Sequence, residues 1–246
     1  AGGQAPERPG LPNQPVTPDP GGVKIIEDFE TTTDWNLEGL LAGKFSVQPD
    51  GKGGHYLLGN GTEVGAGSAY AKKVFADLPN MDSAEVSVDW IASTGELKTQ
   101  DKAAYFALQL WSEETEIVSL YVSDLRGNAA AKVYYSATGI GDKKETGVTL
   151  KQGQTLNVRF VLDFINHTLD IYLDGTMAVE DIQFNALTTK VDTFAIATLD
   201  DTVGKKKYPN FAIDNFCLAY KESTVDQDFS KLVKSVKPLG TKEHAG

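Results

Sequence analysis

Apolar and other residues alternate with a period of two through the middle of the chain. Phe106, Leu108 and Leu110 alternate with Tyr105, Gln109 and Trp111. Val118, Leu120 and Val122 alternate with Ile117, Ser119 and Tyr121. Successive side chains of a strand point to opposite faces, so each run predicts a strand with one buried aliphatic face. The segments 112–116 and 124–128, rich in Ser, Asp, Glu, Gly and Asn, predict the turns between strands of a meander. The same alternation predicts strands at 85–91, with Val86, Val88 and Trp90 inward. It recurs at 155–162 and 168–173, with residues 163–167 as a hairpin connection. Further strands are expected at 23–30, 45–47, 55–58, 69–75, 178–184, 193–198 and 211–220. No stretch of this body has a helical period, so a two-sheet antiparallel β-sandwich is the expected fold.

The ends of the chain differ from this body. Pro6, Pro9, Pro12, Pro15 and Pro18 are spaced three apart, the repeat of a polyproline II helix. Residues 1–22 therefore read as an extended arm or linker, either a stiff spacer or a segment docked on a neighbouring copy or domain. Residues 23–220 form the sandwich. In 221–246, Phe229, Leu232, Val233 and Val236 fall on one face of a short C-terminal helix, stopped by Pro238 and Gly240.

Composition narrows the function classes. With 246 residues and 41% hydrophobic content, one sizeable β-domain can bury its core. A net charge of −11 speaks against nucleic acid, which is bound through basic patches. Cys217 is the only cysteine, so no internal disulfide is possible, and its place in the last strand predicts a small buried side chain. No apolar run reaches membrane-spanning length. A chain that starts at Ala1 without an initiator Met fits a processed, exported protein. Asn60-Gly61-Thr62 and Asn166-His167-Thr168 are glycosylation-type sequons in expected turns.

The face opposite the aliphatic one carries Tyr105, Gln109, Trp111, Tyr121 and Tyr134. Rings mixed with amide and hydroxyl groups suit a sugar, whose C–H faces stack on aromatics while its hydroxyls take planar polar partners. A polysaccharide or glycan is thus the expected partner, and these five residues the expected ligand-binding set. A solvated face, or one covered by a partner, is the plainer alternative.

Three further stretches carry a resemblance: Glu27-Asp28-Phe29-Glu30 followed by Trp35, the hairpin 157–175, and the closing strand 211–220 (FAIDNFCLAY). Together they resemble the concanavalin A-like, laminin G-like jelly-roll modules of secreted bacterial polysaccharide-active and surface proteins. The resemblance implies a jelly roll at the cell surface or outside it. It also implies a structural Ca²⁺ where first and last strands meet, held by Asp28, Glu30 and Asp214, since hard oxygen ligands suit that ion. Catalytic members of the fold carry a Glu-x-Asp-x-x-Glu strand or a lyase set of Arg, Gln, His and Tyr. The first motif is missing here. For the second, only Arg159 and Gln109 are candidates, and Glu113, Glu114 and Glu116 read as solvated turn residues. A non-catalytic carbohydrate-binding module is the leading expectation. A structural subunit of an extracellular assembly, using residues 1–22 for contacts, comes second, and a polysaccharide lyase third.

Overall fold

In the computed structural model, described residues are 22–33, 35–59, 63–64, 69–91, 105–122, 131–137, 143–151, 153–199, 206–207 and 211–224. The Pro-rich arm (1–22, but for Gly22) and the predicted C-terminal helix lie outside them. The rest is all β apart from one turn of 3-10 helix at Ala42–Lys44. The first sheet runs β14 (Thr176–Gln183), β13 (Thr168–Leu173), β12 (Thr155–Asp163), β7 (Met81–Ile91), β17 (Phe211–Glu222), β4 (His55–Gly59) and β3 (Phe45–Pro49), with β1 (Val23–Glu27) also paired to β17. The second runs β11 (Lys144–Leu150), β10 (Ala131–Ala137), β9 (Thr115–Val122), β8 (Tyr105–Ser112), β15 (Thr193–Leu199), β6 (Ala69–Val74) and β2 (Leu37–Glu38). A two-stranded ribbon joins β5 (Glu63–Val64) to β16 (Lys206–Lys207). Every pairing is antiparallel, and the two sheets pack face to face as a jelly-roll sandwich of concanavalin A type.

Alternation builds the core as expected. β7 contributes Val86, Val88 and Trp90, β12 Leu156, Val158, Phe160 and Leu162, and β13 Leu169, Ile171 and Leu173. From the facing sheet come Leu108, Leu110, Val118, Leu120, Val122, Phe194 and Ile196. Between the sheets the contacts become aromatic. Phe216 of β17 lies 4.8 Å from Trp35, edge to face, 5.1 Å from Phe194 of β15, and stacks on Phe75 at 5.7 Å.

β17 is shared between two partners on one edge. Its residues 211–213 pair with β4, and residues 216–220 pair with β1, from Glu27↔Phe216 to Val23↔Tyr220. The hand-over falls at a bulge between Asp214 and Cys217, where Asn215 takes a left-handed φ of 50°. Asn tolerates that region better than most residues, and a bulge bends a strand enough to change neighbours.

Three expectations change. Ile117 belongs to the buried core, not the opposite face, because a bulge between Leu110 and Trp111 inserts it as an extra residue. Cys217 is half-buried on the outer face, between the core residues Phe216 and Leu218. β11 is a strand that alternation did not announce, since KETGVTL holds only two aliphatic residues.

Phe216→Ala should destabilise the fold by about 3–5 kcal/mol, because it deletes a ring packed on three others and leaves a cavity between the sheets. Denaturant unfolding monitored by Trp fluorescence measures this. A loss under about 1 kcal/mol would mean the cluster does not couple the sheets.

Candidate functional site

The outer face of the second sheet gathers most of the predicted ligand-binding residues. Cross-strand register makes a row of Tyr134, Tyr121, Ala107, Ala197 and Tyr70, from β10 to β6. The next row along the strands is Ser136, Ser119, Gln109, Ala195 and Lys72. Small residues thus form a floor, with rings on either side. Tyr121 and Tyr134 stack at 5.9 Å, whereas Tyr70 meets Trp111 edge-on at 5.7 Å. Tyr70, Trp111 and Tyr134 are half-buried, but Tyr121 is only 5% exposed and supports Tyr134 from below. Tyr105 is set in β8 opposite Leu199 by its backbone, and its side chain is outside the described set.

Gln109 and Ser119, each 1% exposed, must find protein partners. The Trp111 indole N–H donates to Gln109 Oε1 at 3.0 Å. Gln109 Nε2 donates to Ser119 Oγ at 2.7 Å and reaches Glu116 Oε2 at 3.4 Å. The Ser119 hydroxyl donates to Glu116 Oε1 at 2.6 Å. The chain therefore runs from indole to carboxylate and uses both amide donors of Gln109. Glu116 is a β9 residue engaged in this chain, not a solvated turn residue like its exposed neighbours Glu113 and Glu114. Above the rings sit two ammonium groups. Lys72 Nζ is 3.8 Å from the Trp111 ring centre and 5.2 Å from that of Tyr70. Lys143 Nζ is 5.8 Å from Tyr121 and 6.0 Å from Tyr134.

Sequence reasoning missed Tyr70, Lys72 and Glu116. The first two alternate with the buried Ala69 and Ala71, a signal hidden because alanine marks a core face weakly. Tyr70 is also held by its main chain: Leu41 N–H donates to its carbonyl at 3.0 Å. Gly39, at φ 104°, passes so close that a Cβ there would strike that same carbonyl.

The lyase set does not assemble. Arg159 lies on the other sheet, its guanidinium stacked 4.1 Å from the Tyr172 ring centre and 3.8 Å from Glu85. Gln109 and Arg159 face away from each other across the sandwich.

The first sheet carries a polar cleft of about 360 Å³, lined by Asp50, Lys52, Tyr56, Asp89, Ile91, Gly153, Thr155 and Asp214. Asp89 accepts the amides of Asn157 at 2.8 Å and Asn215 at 2.9 Å. Asp214 stands directly opposite it in register. Burial pushes the Asp214 carboxyl up to about 6, helped by repulsion from Asp89, Glu30 and Asp50 and opposed by the Asn215 N–H. Of the three carboxylates implied as calcium ligands, Asp28 accepts the Glu30 N–H at 3.2 Å and Glu30 accepts the His55 N–H at 3.3 Å. Among the described residues no group of three or more acidic, His or Cys side chains is gathered to hold a metal.

No family model matches the sequence, and no curated protein does. Solved structures share the fold. A sialidase superposes with a TM-score of 0.59 at 15% identity over 86% of this chain, which spans only 20% of that protein. Trypanosoma rangeli sialidase gives 0.51 at 12% identity, over 89% of this chain and 34% of that one. The basic winged bean lectin gives 0.51 at 10% identity, over 81% and 99%. At such identities the likeness is one of fold.

Asp214 makes stability depend on pH. The native carboxyl keeps its proton to about 6, whereas the unfolded one loses it near 3.9. Between these values the native state binds more protons, so stability falls as pH rises from about 4 to about 6 and stays reduced above. Asp214→Asn should therefore melt higher than the parent at pH 7.5 and converge with it at pH 4. A variant that melts lower at pH 7.5, with a parent stabilised by added Ca²⁺, would assign Asp214 to a cation instead.

Proposed function

We propose that this chain is a non-catalytic carbohydrate-binding sandwich that holds a glycan on the outer face of its second sheet. The observation that carries this reading is the pairing of rings on either side of a floor of alanines, the half-buried Tyr70 with Trp111 and the half-buried Tyr134 with the Tyr121 beneath it. A pyranose needs apolar planes for its C–H faces, with polar groups set between them. Here the chain from Trp111 through Gln109 and Ser119 to Glu116 fixes the indole plane before any ligand arrives, so little ordering remains to be done on binding.

The fold neighbours agree with this reading. The winged bean lectin structure contains the Tn antigen, and the Trypanosoma rangeli sialidase structure a difluoro-KDN sugar. The chain spans a fifth of the first sialidase and a third of the second, so hydrolysis of a glycan is not carried over with the fold. Glu116, a carboxylate hydrogen-bonded into the chain beneath Trp111, is committed to Ser119 and Gln109. With a glycan partner, the reading extends to a protein that works outside the cell or on its surface. Among the described residues, no helix is long and apolar enough to cross a membrane.

Glycan-array screening followed by calorimetry on the retained sugar tests the proposal. Tyr70→Ala and Tyr134→Ala should each weaken binding roughly 5- to 30-fold, about 1–2 kcal/mol, as expected for aromatic anchors. Both rings are half-buried, so melting should shift by a few degrees at most. Retention of no glycan, or variants that bind like the parent, would refute it.

A further inference from the structure

The charge on the ring-bearing face has a pattern that points to one class of sugar. The protein carries 34 acidic residues against 23 basic ones, so a lysine has carboxylates in surplus to pair with. Others do so: Lys132 donates to Glu145 at 2.7 Å, and Lys190 lies 3.8 Å from Glu113 and 3.9 Å from Asp192. Lys72 is different. Its half-buried side chain lays the ammonium 3.8 Å from the centre of the Trp111 ring, and no carboxylate pairs with it among the described residues. That holds even for Glu38, its exposed cross-strand neighbour on β2. The Glu116 carboxylate on the same face is engaged by Ser119 and Gln109.

A cation over a ring gains about 0.5–2 kcal/mol and keeps its full charge. It remains able to make a charge-assisted hydrogen bond, which is shorter and stronger than a neutral one. The indole thus aims the ammonium without neutralising it. The exposed Lys143 lies farther from its rings, 5.8 Å from Tyr121 and 6.0 Å from Tyr134. Between the strands that carry Lys72 and Tyr134 lie β15, β8 and β9. At roughly 4.8 Å per strand the backbones of Tyr70 and Tyr134, in one cross-strand row, are about 19 Å apart, a span for a short oligosaccharide lying across the strands.

We propose that the glycan is acidic: a uronic acid, or another carboxylate-bearing sugar, whose ring packs beside Trp111 and Tyr70 while its carboxylate takes the Lys72 ammonium. The inference rests on the glycan-binding reading of this face and adds the class of sugar. Selection is local, because the net charge of −11 repels polyanions at long range. Short oligomers are therefore the right probes.

The test is calorimetry at fixed ionic strength on tetramers of galacturonate, glucuronate and mannuronate, each beside the same tetramer with its carboxylates reduced to alcohols. At least one acidic tetramer should bind the parent tenfold or more tighter than its neutral counterpart. Lys72→Met should bring that ratio close to one, and Lys72→Arg should keep most of it. If the neutral form binds as tightly, or Lys72→Met leaves the ratio unchanged, the acidic assignment is overturned and glycan binding stands. The same holds if none of the tetramers binds while an array retains neutral glycans. If no glycan of either kind is retained, both readings fall.

Discussion

The sandwich depends on the contact of Phe216 with Trp35, Phe75 and Phe194. Aliphatic side chains fill the space between two sheets, but they fix neither the distance nor the slide of one sheet over the other. Rings do, because edge-to-face and stacked arrangements have preferred distances and angles. Phe216 is 1% exposed and sits on the strand that β1 and β4 share, while Phe194 sits on β15, inside the facing sheet. What holds the sheets in register therefore also sets where the outer faces lie. The position of Tyr70 on β6 and of Trp111 on β8 follows from β15 between them, and β15 is held by Phe194.

Burial of polar groups on the outer face of the second sheet is the costly feature of the structure. A buried amide left without partners costs on the order of 1–3 kcal/mol, and Gln109 avoids this with partners on all its donors and its acceptor. A sheet that merely faced water would not need such a chain. Its effect is to remove rotational freedom from Trp111, whose N–H is committed and whose ring lies between Tyr70 and Lys72. The acidic cleft on the opposite sheet works differently. There Asp89 is partnered by two asparagine amides, while Asp214 across from it, partly buried, has the Asn215 N–H against the cost of burial and the repulsion of nearby carboxylates.

Much of the fold was legible in the sequence, because β7 from Ala84 onward, β12 and β13 alternate without interruption and every second residue has one destination. Legibility failed where geometry departs from that rule. Ile117 reads as an outward residue only if β9 pairs without a bulge, and nothing in the sequence marks the bulge. β11 was overlooked because its small and charged residues give no aliphatic period. On the candidate face, the alternation placed Gln109, Trp111, Tyr121 and Tyr134 together, as the register does. Tyr70 and Lys72 were not placed there, since they come from a strand some forty residues earlier that only β15 brings alongside. Long-range strand order is a property of the packed sheets, and no local pattern encodes it.

The way β1 meets β17 has a mechanical meaning. Val23 pairs with Tyr220, so the chain enters the sandwich beside the place where it leaves. Such a unit interrupts a longer polypeptide without separating the two flanking ends, and can be carried like a side branch. Tension drawn through both ends would act across the β1–β17 ladder, not along it. The hydrogen bonds from Val23 to Glu27 would then open one after another, as in a zip, at low force, while β7 and β12 in the middle of the sheet stayed unloaded. A glycan held on the far sheet would ride on a body that stays folded after its first strand has peeled away.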